Sequence, residues 1–537
     1  MSRTGWLLAA ILFIGFLLRI LYCWNLPLSG DESVSLLQAA GKALDYPRRI
    51  PHSPTPVRQI QSLMEYSPDR GLSDVLKSME QTGMHPPFYY LLLHSLIKYA
   101  GNDVLLLRIF SVVFSVLSIG LLFSIGRKLR SPACGLLAAA LLAFSPYSVQ
   151  FALLIRPYPL VMFLSLLSFR LILEFTETGQ KQRSLLLYLA FVFTAVVGFY
   201  SIYLFIFVFV FDLAFLVLSN PKQKRNWMAA AATSCLVFLF YLPWLPTFFH
   251  QLKVVRTGDY YFYGTSSFRH WLEHLFASNF SEFLPGTYAF YKFLILGIVS
   301  GIGLAGVFQL QKNKAGKAFL LAFCIYLAAY YLADRIFQMK TLNSPHFQFF
   351  TIPVVLLILA LGVVSLPRKY SPPAAVLLFL VLGANLYRSF AAPRTHDGPH
   401  CTQNFTRAVH SYIQDSSGLI VFNNSFQRLI LATVGPLRVP LEAVTAPRAA
   451  YLSTLKSLNT LQSYEYLFFP VHDCPDVHWN PDEQALQQLQ DYLGKNGYSF
   501  CEKIGDPFSQ KTYMMIFKRD CSAPSGTVSA PEKDSSG

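Results

Sequence analysis

The chain has 537 residues, 53% of them hydrophobic and only 14% charged, with a formal charge of +15. A mean hydropathy of +0.40 is too high for a water-soluble protein of this length and fits a polytopic membrane protein with a smaller soluble part. The basic residues fall in short clusters between apolar runs and form no continuous basic face, which argues against nucleic-acid binding and for loop topology.

The first apolar segment, Gly5 to Trp24, contains one charge, Arg19. It runs through Trp24-Asn-Leu-Pro without a small-residue cleavage site, so it is expected to stay as an anchor. Leu28-Ser-Gly-Asp-Glu-Ser33 then places Asp31 and Glu32 just beyond it. Ionisable groups beside a membrane are costly, which makes this pair a functional candidate.

Spans of about 17 to 25 apolar residues are expected at 6–24, 104–126, 132–150, 157–175, 185–200, 202–219, 227–248, 287–310, 317–334, 347–366 and 373–390. Alternate connections carry Arg127-Lys128 with Arg130, Lys181 with Arg183, Lys222 with Lys224-Arg225, Lys312 with Lys314 and Lys317, and Arg368-Lys369. By the positive-inside rule these face the cytoplasm together with Arg3, and Asp31, Glu32 and the C-terminus face outwards.

Between 25 and 103 an outer loop is expected, Pro-rich from Pro47 to Pro56. It closes on Met84-His-Pro-Pro-Phe-Tyr-Tyr-Leu-Leu-Leu-His-Ser-Leu-Ile-Lys98. That run is apolar but short, and Pro suits its first turn, so it reads as an interfacial helix. A second outer loop, 249–286, gathers Tyr260, Tyr261, Phe262, Tyr263 and Trp271 with Arg256, Arg269, His270 and His274. Such aromatics suit a bilayer interface and equally a stacking platform for sugar rings.

Beyond Phe390 the composition becomes that of a soluble α/β domain, expected over 391–521. Strands are expected at Gly418-Leu-Ile-Val-Phe, Tyr464-Glu-Tyr-Leu-Phe-Phe and Lys511-Thr-Tyr-Met-Met-Ile-Phe, and a helix from Pro481 to Leu493. The Ser/Pro/Ala-rich stretch 522–537 reads as a disordered tail. Cys23, Cys134, Cys235 and Cys324 lie in or beside apolar spans. Cys401, Cys474, Cys501 and Cys521 lie in the outer domain, where at least one disulfide is expected and three pairings are open. His472-Asp-Cys-Pro-Asp-Val-His478 fits no standard zinc spacing.

Sorted by side, Asp31, Glu32, His85, Arg108, Arg156, Tyr158, Arg335, Lys340 and His346 gather at the outer face. A carboxylate near several cations suits transfer of a group from an anionic, membrane-held donor: the carboxylate takes a proton from the attacking hydroxyl, and the cations stabilise the departing phosphate. A monophosphate can be held by Arg, Lys or His without a metal. Arg108 and Arg335 also suit snorkelling.

His85-Pro-Pro-Phe-Tyr-Tyr-Leu-Leu-Leu, Gly101 and Leu107-Arg-Ile-Phe-Ser-Val resemble the GT-C-fold membrane glycosyltransferases, in particular the protein-mannosyltransferase-like and aminoarabinose-transferase-like (family 39-like) group. Gly30-Asp31-Glu32 is similar to their first-loop acidic motif, and Ser145-Pro146, Arg156-Pro-Tyr158 and Leu242-Pro-Trp-Leu-Pro246 to later landmarks. The resemblance covers about 6–366. It implies a GT-C-like helical membrane domain of about eleven spans over 1–390, and an inverting transfer of a hexosyl or pentosyl unit from a polyprenyl-phosphate donor, with no cofactor or metal. Asp31 would be the base with Glu32 beside it, and His85, Tyr89, Arg108, Arg156, Tyr158, Arg335 and His346 would hold donor phosphate and lipid. The acceptor is left open among glycolipid, lipid A, protein and wall polymer, and the location implied is a bacterial inner membrane. Three departures, Leu154 for Glu, Ser201-Ile202-Tyr203 for Thr-His-Tyr and His346 for Arg, point to altered sugar or acceptor choice or weakened activity. A transporter or flippase for lipid-linked saccharides, or an assembly protein, is the rival reading. A transporter should show inverted repeats and midplane polar groups, whereas charge here collects at one face.

Overall fold

Each apolar run expected to cross the membrane carries a helix in the computed structural model. The structure describes residues 2–23, 28–45, 54–82, 85–177, 181–257, 271, 289–338, 341–343, 345–391, 409, 411–413, 417–422, 441–445, 452, 455–456, 458, 461–471, 483–506 and 509–519. Two compact units divide the chain: Met1–Leu26, Val34–Leu44 and Glu65–Pro393 form one, and Pro27–Ser33, Asp45–Met64 and Arg394–Gly537 the other. Pro27–Ser33 and Asp45–Met64 thus group with the C-terminal part of the chain.

The helical elements are α1 (Arg3–Cys23), α2 (Gly30–Ala39), α3 (Val57–Ser62), α4 (Leu72–Thr82), α5 (Phe88–Ala100), α6 (Val104–Leu129), α7 (Pro132–Phe144), α8 (Pro146–Ala152) and α9 (Tyr158–Glu177). They continue as α10 (Lys181–Phe199), α11 (Phe205–Ser219), α12 (Lys224–Tyr241), α13 (Leu245–Thr257), α14 (Ala289–Leu310), α15 (Lys314–Phe337), α16 (Thr351–Ser365) and α17 (Ser371–Ala391). Among the described residues five helices are long and apolar enough to cross a membrane, or six if the bent pair α7–α8 is one span; shorter apolar helices occupy Ser184–Phe199, Phe205–Ser219, Leu294–Leu310, Thr351–Ser365 and Ser371–Tyr387. The thirteen residues of α5 rise only about 20 Å, short of a hydrocarbon core of about 30 Å, in keeping with an interfacial helix.

Local chemistry explains several boundaries. Asp103, Ser131, Ser145 and Asn313 cap α6, α7, α8 and α15 through their side chains, each satisfying a backbone donor that the helix leaves unpaired. Pro146 lacks the N–H that would continue α7, and the expected span 132–150 is bent by 58° there.

In the helical unit α9 is buried against α6, α10 and α11, and Phe169, Phe211, Phe215 and Phe319 pack edge to face around it. Glycines bring backbones together elsewhere. A Cβ on Gly362 of α16 would lie 1.9 Å from Ile302 O, and one on Gly306 of α14 would lie 2.1 Å from Ile358 O. At one end of α9, Lys128 and Arg170 reach Glu174 at 3.0 and 2.8 Å.

The second unit holds a six-stranded mixed sheet in the order β1-β3-β2-β4-β6-β5, with β1 (Thr55–Pro56), β2 (Gly418–Phe422), β3 (Leu441–Thr445), β4 (Tyr466–Val471), β5 (Tyr498–Asp506) and β6 (Ser509–Arg519). β2 pairs in parallel with β3 and β4, and the other pairs are antiparallel. Leu489 and Leu493 of α18 (Glu483–Lys495) close an apolar core with Leu419, Val421, Leu467, Phe469, Met515 and Phe517. The Tyr498 hydroxyl donates to Leu461 O and Tyr464 O, each at 2.6 Å. β2, β4, β6 and α18 match the expected elements, whereas β1, β3 and β5 were not anticipated.

Several expectations fall outside the described residues: Tyr260, Tyr261, Phe262, Tyr263, Arg269, His270, His274 and Lys340, the 472–478 stretch, the tail, and Cys401, Cys474 and Cys521. Cys501 is half-buried on β5.

Candidate active site

The two carboxylates open α2 in different surroundings. Glu32 is buried; its Oε2 accepts from Ser29 N at 2.8 Å, while Ser29 Oγ accepts from Glu32 N at 3.2 Å. This reciprocal capping box gives Glu32 a structural task. Asp31, one residue earlier, is exposed in the first helical turn.

Within the helical unit, His85, Arg156, Tyr158 and His346 come together from positions where the chain leaves helical geometry. Arg156 stands between α8 and α9, and Pro157 disfavours helix at Arg156 before Tyr158 starts α9. Its guanidinium donates through Nη1 to Ser35 Oγ at 3.3 Å and through Nη2 to His85 Nε2 at 3.4 Å. It lies 5.7 Å from the Tyr158 ring. His85 precedes Pro86-Pro87, and Pro87 is the N-cap of α5; the first amide of the helix, Phe88 N, donates to Tyr200 O at 2.8 Å.

Arg can only donate, so His85 Nε2 accepts and the ring proton sits on Nδ1. Burial, then the neighbouring Arg156 and His346, hold the His85 imidazole well below its ordinary value of 6.5. His85 is therefore a neutral acceptor at neutral pH.

His346 arrives on two short 3-10 turns, Thr341–Asn343 and Pro345–Phe347, between α15 and α16. Its ring meets Tyr158 at 5.0 Å and Phe151 at 6.0 Å, and Tyr147 donates its hydroxyl to His346 O at 3.3 Å. The turn is pinned to α15 as well. Asp334 Oδ1 accepts from Thr341 Oγ1 at 2.9 Å and from Leu342 N at 3.3 Å, and Tyr330 donates to Thr341 O at 3.4 Å.

The other candidates are less central. Tyr89 is buried on α5, edge-on to Tyr90 at 5.5 Å, and Tyr90 stacks on His85 at 6.5 Å. Arg108 is buried on α6, two residues from Phe110, whose ring is 6.4 Å from Tyr89. Arg335 is exposed and turns back on Tyr331, with Nε 3.2 Å from its hydroxyl; the structure does not bring it to the Arg156 group. Ser35, Tyr90, Tyr147, Phe151 and Asp334 were missed from sequence. The Ser145-Pro146 landmark was the available signal for Tyr147.

Among the described residues no group of three His, Cys, Asp or Glu is arranged to hold a metal ion.

Comparison with known proteins places these features. Residues 84–246 match the family described as dolichyl-phosphate-mannose-protein mannosyltransferase, a stretch that includes His85, Tyr89, Arg108, Arg156 and Tyr158. No curated protein matches in sequence. In structure the chain is similar to apo ArnT from Cupriavidus metallidurans, with a TM-score of 0.56 at 9% identity, covering 96% of this chain and 98% of that one. ArnT from the same organism bound to undecaprenyl phosphate gives 0.54 at 10% identity, covering 97% and 99%. The Archaeoglobus fulgidus oligosaccharyltransferase complex with zinc and sulfate gives 0.50 at 13% identity, covering 94% and 72%. At these identities the likeness is one of fold. The chain is thus an integral membrane protein of the GT-C fold, the fold of membrane glycosyltransferases, with a protein-mannosyltransferase signature across residues 84–246.

Proposed function

We propose that the protein transfers a sugar, with inversion, from a polyprenyl-phosphate donor to an acceptor hydroxyl at the extracytoplasmic membrane face. The observation that carries this reading is the Arg156 group: a guanidinium framed by Tyr158, His85 and His346, inside the stretch with the mannosyltransferase signature. The fold likeness to ArnT bound to undecaprenyl phosphate supports the donor class.

In this reading Asp31 takes the proton from the acceptor hydroxyl. The oxygen forms the new bond to the sugar's anomeric carbon, and the bond from that carbon to the phosphate oxygen breaks. Arg156 stabilises the negative charge left on the polyprenyl phosphate. Neutral His85 orients Arg156 through the Nη2 contact, and His346 and Tyr158 wall the phosphate. No cofactor is needed for this displacement.

Asp31→Asn keeps the side chain's size and removes the base. Transfer in a membrane assay should fall about a hundred- to ten-thousand-fold while binding of polyprenyl phosphate stays near wild type. A wild-type rate would end the mechanism. Glu32→Gln retains an oxygen for Ser29 N, so it should be mild. Sidedness is tested separately: a reporter fused after Leu366 should read cytoplasmic and one after Phe390 external.

A further inference from the structure

Arg19, the one charge in the apolar length of α1, is completely buried. Its Nε donates to Ser115 Oγ of α6 at 2.9 Å. Nη1 donates to Gly15 O at 2.8 Å and Ala143 O at 3.2 Å, and Nη2 to Leu142 O at 3.5 Å and Ser148 Oγ at 2.8 Å. A guanidinium has five N–H groups, and all five are used here on neutral oxygens. Arg19 thus has no donor left for an anion, and its role lies in what those oxygens belong to.

Leu142 and Ala143 lie in the last turn of α7. In an unbroken helix the Leu142 carbonyl would accept from the amide of residue 146, which is proline, and the 58° bend interrupts the ladder at this point. Carbonyls left without donors inside a membrane are costly. Arg19 supplies donors to both and also ties down Ser148 of α8. Gly15 lets α1 approach α6 and α7 here, since a Cβ there would crowd Ile119 Cδ1 at 3.1 Å and Ala143 Cβ at 3.3 Å. The bend in turn presents Tyr147 to His346 O and the Phe151 ring to His346 and Tyr158 at 6.0 and 5.9 Å.

We propose that Arg19 is a positioning residue for the donor site: by capping the break between α7 and α8 it fixes Tyr147 and Phe151, and through them His346 and Tyr158. This rests on the reading above that His346 faces the donor.

The test uses full-length protein in detergent or nanodiscs, with Arg19→Met as an apolar side chain of similar reach, Arg19→Lys as partial restoration and Ser148→Ala as a gentle variant. Amide exchange over 145–152 and 345–350 should accelerate about tenfold or more in Arg19→Met, with α12 unchanged. Polyprenyl-phosphate affinity should fall about tenfold, and His346→Ala combined with Arg19→Met should lose little beyond the worse single variant, because linked sites are non-additive. Arg19→Lys should recover part of both effects, and Ser148→Ala should shift exchange slightly in the same direction. Unchanged exchange in both segments, an equal rise in every helix, or strict additivity with a His346→Ala that itself loses donor affinity would overturn the proposal. Accelerated local exchange together with wild-type donor affinity in His346→Ala would instead uphold the positioning role of Arg19 on this turn and remove His346 from the donor reading.

Discussion

Where α14 crosses α16, Gly306 and Gly362 let one helix backbone rest on the other, and the atoms nearest each glycine are backbone or aliphatic. At the end that carries Arg156 the chain repeatedly leaves the helix, at Pro86-Pro87, Ser145-Pro146, Arg156-Pro157 and the turns from Thr341 to Phe347. There a side chain or a carbonyl from another element meets the groups that each break releases: Tyr200 O for Phe88 N, Arg19 for Leu142 and Ala143, Asp334 for Leu342 N. One region is held by shape and the other by named hydrogen bonds. Damage to the first should cost stability, and damage to the second should cost geometry at the site before it costs the fold.

The sharpest break of that contrast is Gly362→Val. The added carbon would meet Ile302 O, a backbone atom that cannot rotate away, so a loss of about 3 kcal/mol or more is expected. Thermal unfolding in detergent should show it, and activity per folded molecule should be retained. Asp334→Ala should do the reverse, weakening donor affinity about tenfold with a small change in melting temperature. Asp334→Asn, which keeps an acceptor for Thr341 and Leu342 N, should be milder. A large melting shift with unaltered affinity would erase the distinction between the regions.

The third expectation concerns pH. His85 is neutral in the folded protein because its value is lowered from 6.5. Above about pH 6.5 folded and unfolded chains are both neutral at this position, so it contributes no pH dependence. As pH falls from about 6.5 towards the lowered value, only the unfolded chain takes up the proton, and stability falls by at most about 1.4 kcal/mol per pH unit. Melting curves between pH 7.5 and 5.5 should show the decline, and His85→Gln should flatten it.

The sequence made the helices legible because hydropathy alone decides them in lipid, and it marked the breaks because proline interrupts a helix ladder by covalent structure. Sorting polar residues by side picked out His85, Arg156, Tyr158 and His346 among nine candidates, but not which of the nine would meet. Arg19 was legible only as a charge: its partners Ser115 and Ser148 lie 96 and 129 residues away, and nothing local marks such a pairing. Arg335 drew notice as a cation at a span end, while the informative residue was its neighbour Asp334, whose bonds hold the turn carrying His346. β1 was hidden for a related reason. A two-residue strand in a Pro-rich stretch has no periodicity, and its partner β3 is almost four hundred residues further along.

The five bonds of Arg19 also order the assembly of the protein in time. When α1 leaves the translocation machinery, four of its five acceptors, on Ser115, Leu142, Ala143 and Ser148, have not been synthesised. An arginine at the centre of a lone helix costs about 2.5–3.5 kcal/mol on insertion scales and less near a helix end, so α1 should wait with the Arg19 guanidinium drawn towards water past Cys23 until α8 is complete. Ribosome-stalled chains in which α6 has emerged but Ser148 has not should leave Arg19 open to a guanidine-specific reagent. Chains in which α9 has emerged should protect it.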